Sequence, residues 1–278
     1  MEKMKSRRHS LLYLPGDNTK FITKSVTTKC DAIIMDLEDA VSTDHKSLAR
    51  ETTAAAVSRF HEMGVDKELM VRINSFSTTL AYQDLLAIVP YGLDAVIVPK
   101  ADKESICVAD NLLAALENEH KLPRISIIGL IETAAGLVQA EDTIKASTRL
   151  DGLQFGAEDY TRDLEIMRTN QGNEVSFAKQ YMAVMCHAYG IDAIDTPYTD
   201  IHDEEGLKYE IETAKQMDVI NTAFLPSASD ISYAERLIQA FDKAVAMGRG
   251  SITFEGKMID LPIYQRAKRL VSRVENYK

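Results

Sequence analysis

LDGLQFGAEDYTRD, Leu150 to Asp163, opens with a short apolar run, Leu153 to Phe155, and breaks at Gly156. It then crowds Glu158, Asp159 and Asp163 into the next few residues. A strand that ends in glycine and then presents carboxylates is a poor core element and a good cradle for a cation. Glycine accepts backbone angles that other residues resist, and hard divalent cations such as Mg²⁺ prefer oxygen ligands. The pattern recurs one unit earlier, where the apolar run Ile125 to Ile131 is followed directly by Glu132. Two consecutive strands, each delivering a carboxylate at its C-terminal end, point to one shared site.

Outward from this pair the same unit repeats. Short apolar runs at Ser10–Leu14, Asp31–Met35, Leu69–Ile73, Ala95–Val98 and Ile191–Ile194 read as further strands. Helical stretches separate them, one opening after Asn18 and others near 43–62 (stopped by Gly64), 80–89, 103–119, 134–145 and 177–189, with another at 204–217. Asn18 is placed to cap the first. Seven βα units in succession require a parallel sheet, because parallel strands need crossover connections. Continuous apolar runs rich in Ile and Val mark strands buried on both faces. A closed (β/α)₈ TIM barrel is favoured over a doubly wound open sheet. The open sheet would want a glycine-rich phosphate turn after its first strand, and Pro15-Gly16-Asp17 is not one. Barrel enzymes carry their chemistry at the C-terminal strand ends, and here those ends hold Asp17, Glu38, Arg72, Lys100, Glu132, Asp159 and Asp195.

The chain has 278 residues and a formal charge of −10. That charge argues against nucleic acid as a partner. No apolar run approaches the roughly 20 residues needed to span a bilayer, and the basic start MEKMKSRRHS is followed by too short an apolar run for a signal peptide. Cys30, Cys107 and Cys186 are scattered, with no metal spacing, and read as reduced thiols of a cytoplasmic protein.

Glu132 and Asp159 are the candidate metal ligands. Either one alone would be read as favouring the N-terminus of the following helix. Two on adjacent strand ends, with Glu38 and Asp39 close by, favour the metal, which leaves positions for water and a chelating α-hydroxy or α-keto acid. Arg72, in VRIN, is suited to hold a substrate carboxylate through two parallel hydrogen bonds, or an internal partner, Glu38 or Asp39. Asp17 and Lys100 either bind substrate or simply end a strand. No Ser, Cys or Lys lies in a nucleophile motif and the six histidines form no metal pair, so metal-assisted acid–base chemistry is favoured over covalent catalysis.

RRHSLLYLPGDN, DAIIMDLEDAV, VRIN, DAVIVPK, IGLIETAAGL, LQFGAEDYTRDL, AIDTPYTDIHDEEGL and GSITFEGKMIDLPIYQRAK together resemble, in this order, the citrate lyase beta-subunit family. That family belongs to the HpcH/HpaI group of Mg²⁺-dependent lyases and aldolases. The resemblance implies a (β/α)₈ barrel and cleavage of a citryl thioester, on an acyl carrier protein or CoA, to an acetyl thioester and oxaloacetate. It implies Glu132 and Asp159 as Mg²⁺ ligands and Arg72 as the grip on the keto-acid carboxylate; Glu38, at the end of the second strand, is expected in the catalytic set beside them. Asp260, in GKMID, looks like the catalytic aspartate that reaches into a neighbouring subunit's site. The implied partners are other citrate lyase subunits and copies of the chain itself, as a trimer or hexamer. A stand-alone citramalyl- or malyl-CoA lyase and a non-catalytic structural subunit are the alternatives.

Residues 1–247 are expected to form the barrel, and 248–278 a separate extension that contacts a neighbouring subunit. In the extension, Ser251–Phe254 and Lys257–Ile259 read as a hairpin about Glu255-Gly256, followed by a final helix. Seven strands precede it, one short of closure. Lys215-Gln216-Met217 joins directly to Asp218-Val219-Ile220, where the family pattern has about a dozen more residues, including strand eight. A break is therefore expected there, with the Cα atoms of Met217 and Asp218 further apart than the ~3.8 Å of a peptide-linked pair.

Overall fold

The computed structural model describes residues 8–169, 172–198, 202–210, 228–246, 252–259 and 261–275. Seven strands, β1 (Leu11–Pro15), β2 (Ala32–Asp36), β3 (Glu68–Arg72), β4 (Ala95–Val98), β5 (Ser126–Ile131), β6 (Leu150–Phe155) and β7 (Asp192–Ile194), form one parallel sheet in chain order. Side chains alternate between its two faces. Ile33 and Met35 pack outward with the helices, in a core that also holds Val57, Leu85, Ile106 and Met182. Ala32, Ile34, Met70, Ala95, Ile97, Ile128 and Leu130 pack on the inner face. Burial on both faces is why these strands read as continuous apolar runs rather than as an alternation.

The sheet is curled. In a flat sheet β1 and β6 would stand about 24 Å apart, five spacings of ~4.8 Å. Instead the Tyr13 hydroxyl of β1 donates to Gln154 Oε1 of β6 at 2.7 Å, and Leu11 of β1 shares the inner cluster with Ile194 of β7. Below the sheet, the buried Arg8 guanidinium joins the beginnings of three strands, 2.6 Å from Glu68, 3.0 Å from Asp151 and 2.9 Å from Asp192. The described residues thus make a seven-stranded parallel half-barrel. An eighth strand is not among them, and the expected break at Met217–Asp218 lies outside them.

Helices α1 (Thr19–Ser25), α2 (Lys46–Glu62), α3 (Leu80–Ile88) and α4 (Lys103–His120) follow β1 to β4. Asn18 caps α1 through the Phe21 N–H, and Asp102 and Ser105 form a capping box on α4. After β5 the expected single helix is two, α5 (Ala134–Val138) and α6 (Ala140–Lys145), interrupted at Gln139. After β6 come α7 (Ala157–Asp163) and α8 (Asn173–Tyr189), and after β7 comes α9 (Glu204–Glu210).

The chain divides into two compact units, Met1–Ile220 and Asn221–Lys278. The second unit includes the helix Ala228–Ala246. Its Ala234, Leu237 and Phe241 share a small core with Ile259 of the hairpin and Ala267 of the final helix, Leu261–Glu275. Phe241 stacks on Tyr264 at 4.6 Å. Strands Ile252–Phe254 and Lys257–Ile259 pair antiparallel. Glu255 and Gly256 both have positive φ, +45° and +77°, as a two-residue hairpin turn of this hand requires.

Candidate active site

Parallel strands bring all their C-terminal ends to one side of the sheet, and β2 and β3 end there in register, with Asp36 beside Arg72. Asp36 is 2% exposed. It accepts the Glu38 and Ala40 N–H groups, each at 2.9 Å, which folds the chain back after the strand. It also takes Arg72 Nε at 2.7 Å and Nη2 at 2.6 Å, a bidentate pair. Arg72 Nη1 stands 3.4 Å from Glu38 Oε2 and 3.7 Å from Asp39 Oδ2. Burial works against the guanidinium charge, but the hydrogen bonds and charge of Asp36 more than offset it and hold the pKa above its ordinary value. The internal partner of Arg72 is therefore chiefly Asp36. The period of two in β2 carried that signal, since Ala32, Ile34 and Asp36 face the same side.

Glu132 follows β5 directly and is 3% exposed. Its Oε1 accepts the backbone N–H of Lys100 at 2.8 Å, presented from a left-handed φ of +47°. Gly156, next to it at the end of β6, has φ −104°, an angle open to any residue. Its role is room rather than conformational freedom. A Cβ there would lie 2.8 Å from Glu132 Cβ and 3.1 Å from Oε2. Glu158 and Asp159 occupy the first turn of α7, a favourable place for negative charge. The Glu158 side chain is exposed, whereas Asp159 is largely buried, with Oδ2 3.8 Å from Lys100 Nζ and Oδ1 3.0 Å from Arg162 Nη1. Lys100 Nζ is also 3.8 Å from Glu38 Oε1.

Two buried glutamates of the site hold their protons more tightly than free carboxyls do. Burial pushes Glu132 up to about 7; the Lys100 N–H opposes this and the Asp159 charge adds to it. Burial pushes Glu38 up to about 8, against Arg72 and with the charges of Asp39 and Glu132. Glu38 Oε2 is buried and accepts no hydrogen bond among the described residues. No three His, Cys, Asp or Glu side chains stand together as a metal cluster among the described residues. A divalent cation held here would take Glu132 and Asp159 from the protein and fill its other positions with water or substrate oxygens. The donor chemistry fits such an ion.

Two groups hold the loop that carries Glu38. Lys46 Nζ donates to the Leu37 and Glu38 carbonyls at 2.7 and 2.6 Å. Asn74 Nδ2 donates to the Leu37 carbonyl at 3.0 Å and to Asp84 Oδ2 at 2.7 Å. Asp17 lies at the end of β1, 3.0 Å from His45 Nδ1. Asp260 lies outside the described residues.

The family model described as HpcH/HpaI aldolase/citrate lyase matches residues 9–225. The chain belongs to this family. It is 33% identical to citrate lyase subunit beta of Haemophilus influenzae over 98% of each chain. It is 30% identical to the mitochondrial citramalyl-CoA lyase of Rattus norvegicus over 98% of this chain and 87% of the relative. The alignment to the Haemophilus protein spans 289 positions, more than the 278 residues present, so that relative has residues opposite which this chain has none. Among solved structures, CitE of Mycobacterium tuberculosis in complex with magnesium, acetoacetate and coenzyme A superposes with a TM-score of 0.81. It is 25% identical over 98% of this chain and all of that one. As a member of the HpcH/HpaI aldolase/citrate lyase family with lyases as its relatives, the chain is a carbon–carbon lyase. No helix among the described residues is long and apolar enough to cross a membrane.

Proposed function

We propose that this chain is the Mg²⁺-dependent lyase subunit of a citrate lyase, cleaving a citryl thioester into an acetyl thioester and oxaloacetate. The observation that carries the reading is the gathering of Glu132, Asp159 and Glu38 about Lys100, with Arg72 beside Glu38, at one end of the sheet. The near-full-length match to citrate lyase subunit beta supports it. Glu132 and Asp159 would hold the Mg²⁺, which when bound acidifies and orients the substrate hydroxyl beside its carboxylate. Arg72 grips that carboxylate with the N–H groups that Asp36 leaves free. Glu38, whose Oε2 accepts no hydrogen bond among the described residues and whose pKa is pushed up to about 8, takes the hydroxyl proton. The carbon–oxygen double bond of the keto acid forms as the bond to the CH₂ beside the thioester breaks, and the electron pair leaves as a thioester enolate. Asp260 of a neighbouring subunit returns a proton to that carbon.

The same reading takes the half-barrel as part of a closed (β/α)₈ barrel in a cytoplasmic homo-oligomer, trimer or hexamer. The 248–278 extension reaches the neighbouring subunit, an acyl carrier protein or CoA bears the thioester, and Asp17 and Lys100 contact the substrate. The citramalyl-CoA lyase relative favours a second reading, cleavage of citramalyl-CoA. Purified protein with Mg²⁺ and each thioester separates them. Oxaloacetate from citryl-CoA is expected. Turnover of citramalyl-CoA alone selects the second reading, and no turnover of either, or of malyl-CoA, defeats both.

A further inference from the structure

Beneath the polar strand ends the inner face of the sheet is apolar, and two polar side chains interrupt it. Tyr13 is aligned with Ile34, and Gln154 with Leu130 and Ile194. Those three aliphatic residues belong to the inner cluster. Gln154 is fully buried. Its Oε1 accepts the Tyr13 hydroxyl at 2.7 Å, while its Nε2 has no hydrogen-bond partner among the described residues. A buried amide with an unmade donor is a cost to stability. A leucine there would pack with Leu130 and Ile194 without that cost. What the glutamine supplies is an anchor for Tyr13, delivered from five strands away.

Tyr13 in turn supports Arg72. The guanidinium carbon lies 5.5 Å from the centre of the Tyr13 ring, within range of a cation–π contact. Asp36 fixes one edge of the guanidinium through Nε and Nη2. An edge contact alone leaves the plane free to tilt, and a ring against the face removes that freedom. We propose that Gln154 and Tyr13 are positioning residues. Gln154 fixes the Tyr13 ring, and the ring fixes the plane in which Arg72 presents its remaining N–H groups to a substrate carboxylate. This rests on the reading of Arg72 as the carboxylate grip.

The test compares wild type with Gln154→Leu, Tyr13→Phe and the double variant. It uses thermal unfolding, the Kd for oxaloacetate by calorimetry in Mg²⁺, and KM and kcat with citryl-CoA. Gln154→Leu strands the Tyr13 hydroxyl and lowers the Tm. The double variant removes both polar groups and recovers the Tm. Its Kd and KM stay about threefold weaker, with kcat little changed, because the phenylalanine ring still faces Arg72 but nothing now fixes its plane. Recovery of Kd together with Tm in the double variant would show a packing role and overturn the proposal. Should Gln154→Leu fail to fold, Tyr13→Phe decides alone: a weakened Kd is expected, and a wild-type Kd overturns the idea. A wild type that binds oxaloacetate but cleaves no thioester would sink the proposed function and leave the Kd comparison as the test of this pair.

Discussion

At Glu132 burial, hydrogen bonding and charge pull in different directions, and their balance makes a testable claim. Its pKa of about 7 in the folded chain exceeds the ordinary 4.5. The folded state therefore holds this proton more tightly than the unfolded one. The associated stability is complete below about pH 4.5 and is lost as the pH rises through about 7, on the order of 3 kcal/mol. Glutamine escapes that loss. Glu132→Gln in chelator should match or exceed the wild-type Tm at pH 8, with its advantage shrinking towards pH 4.5. In Mg²⁺ the same variant should lose most activity and at least about tenfold in metal affinity. Unchanged Mg²⁺ affinity by calorimetry would remove Glu132 from the ligand set. Arg72→Lys should lower kcat/KM by roughly 10–100-fold, because a point ammonium cannot hold Asp36 and a substrate carboxylate in one plane. Near-normal turnover would reduce Arg72 to a structural partner of Asp36.

Glu174 fastens the described part of the connection from α7 to α8 at Arg168 and Thr169. Glu174, in the first turn of α8, accepts the Thr169 N–H at 2.9 Å and the Thr169 hydroxyl at 2.6 Å. It also takes Arg168 Nη1 at 2.9 Å. Burial pushes its carboxyl up, but these bonds together hold it down at about 2. With the folded pKa depressed, the stabilisation is present above about pH 4.5 and disappears as the pH falls towards 2. Glu174→Gln should cost about 1–2 kcal/mol at pH 7, discounted for solvent screening, and nothing near pH 2. An acid-unfolding curve parallel to wild type across that range would refute the assignment. Elements of this kind were legible beforehand because their signals are local. Asn18, Gly64 and Gly190 act at the ends of their own helices. The helix Ala228–Ala246 has an apolar stripe that finds its partners only in the hairpin and final helix that it packs on.

For the whole molecule the open question is whether one site draws on two chains. If Asp260 serves a neighbouring subunit, Asp260→Asn and Glu132→Gln, each inactive alone, should regain partial activity once mixed and allowed to exchange. A mixed oligomer seen by native mass spectrometry with no recovered turnover would confine each site to one chain.

The amino-acid order alone determined the repeating βα unit, the parallel sheet and the strand-end positions of Glu38, Arg72, Lys100, Glu132 and Asp159. Strand periodicity and strand-end polarity are properties of neighbours in the chain, so they are written in it. Only the tertiary structure decided which groups meet. Asp36 rather than Glu38 or Asp39 makes the bidentate pair with Arg72, and Lys100 turns its N–H to Glu132. Gly156 gives Glu132 space at an ordinary φ, and Tyr13 reaches Gln154 over 141 positions of sequence. Those meetings arise from the register between strands and from the curl of the sheet, which brings its first and sixth strands within a hydrogen bond of one another.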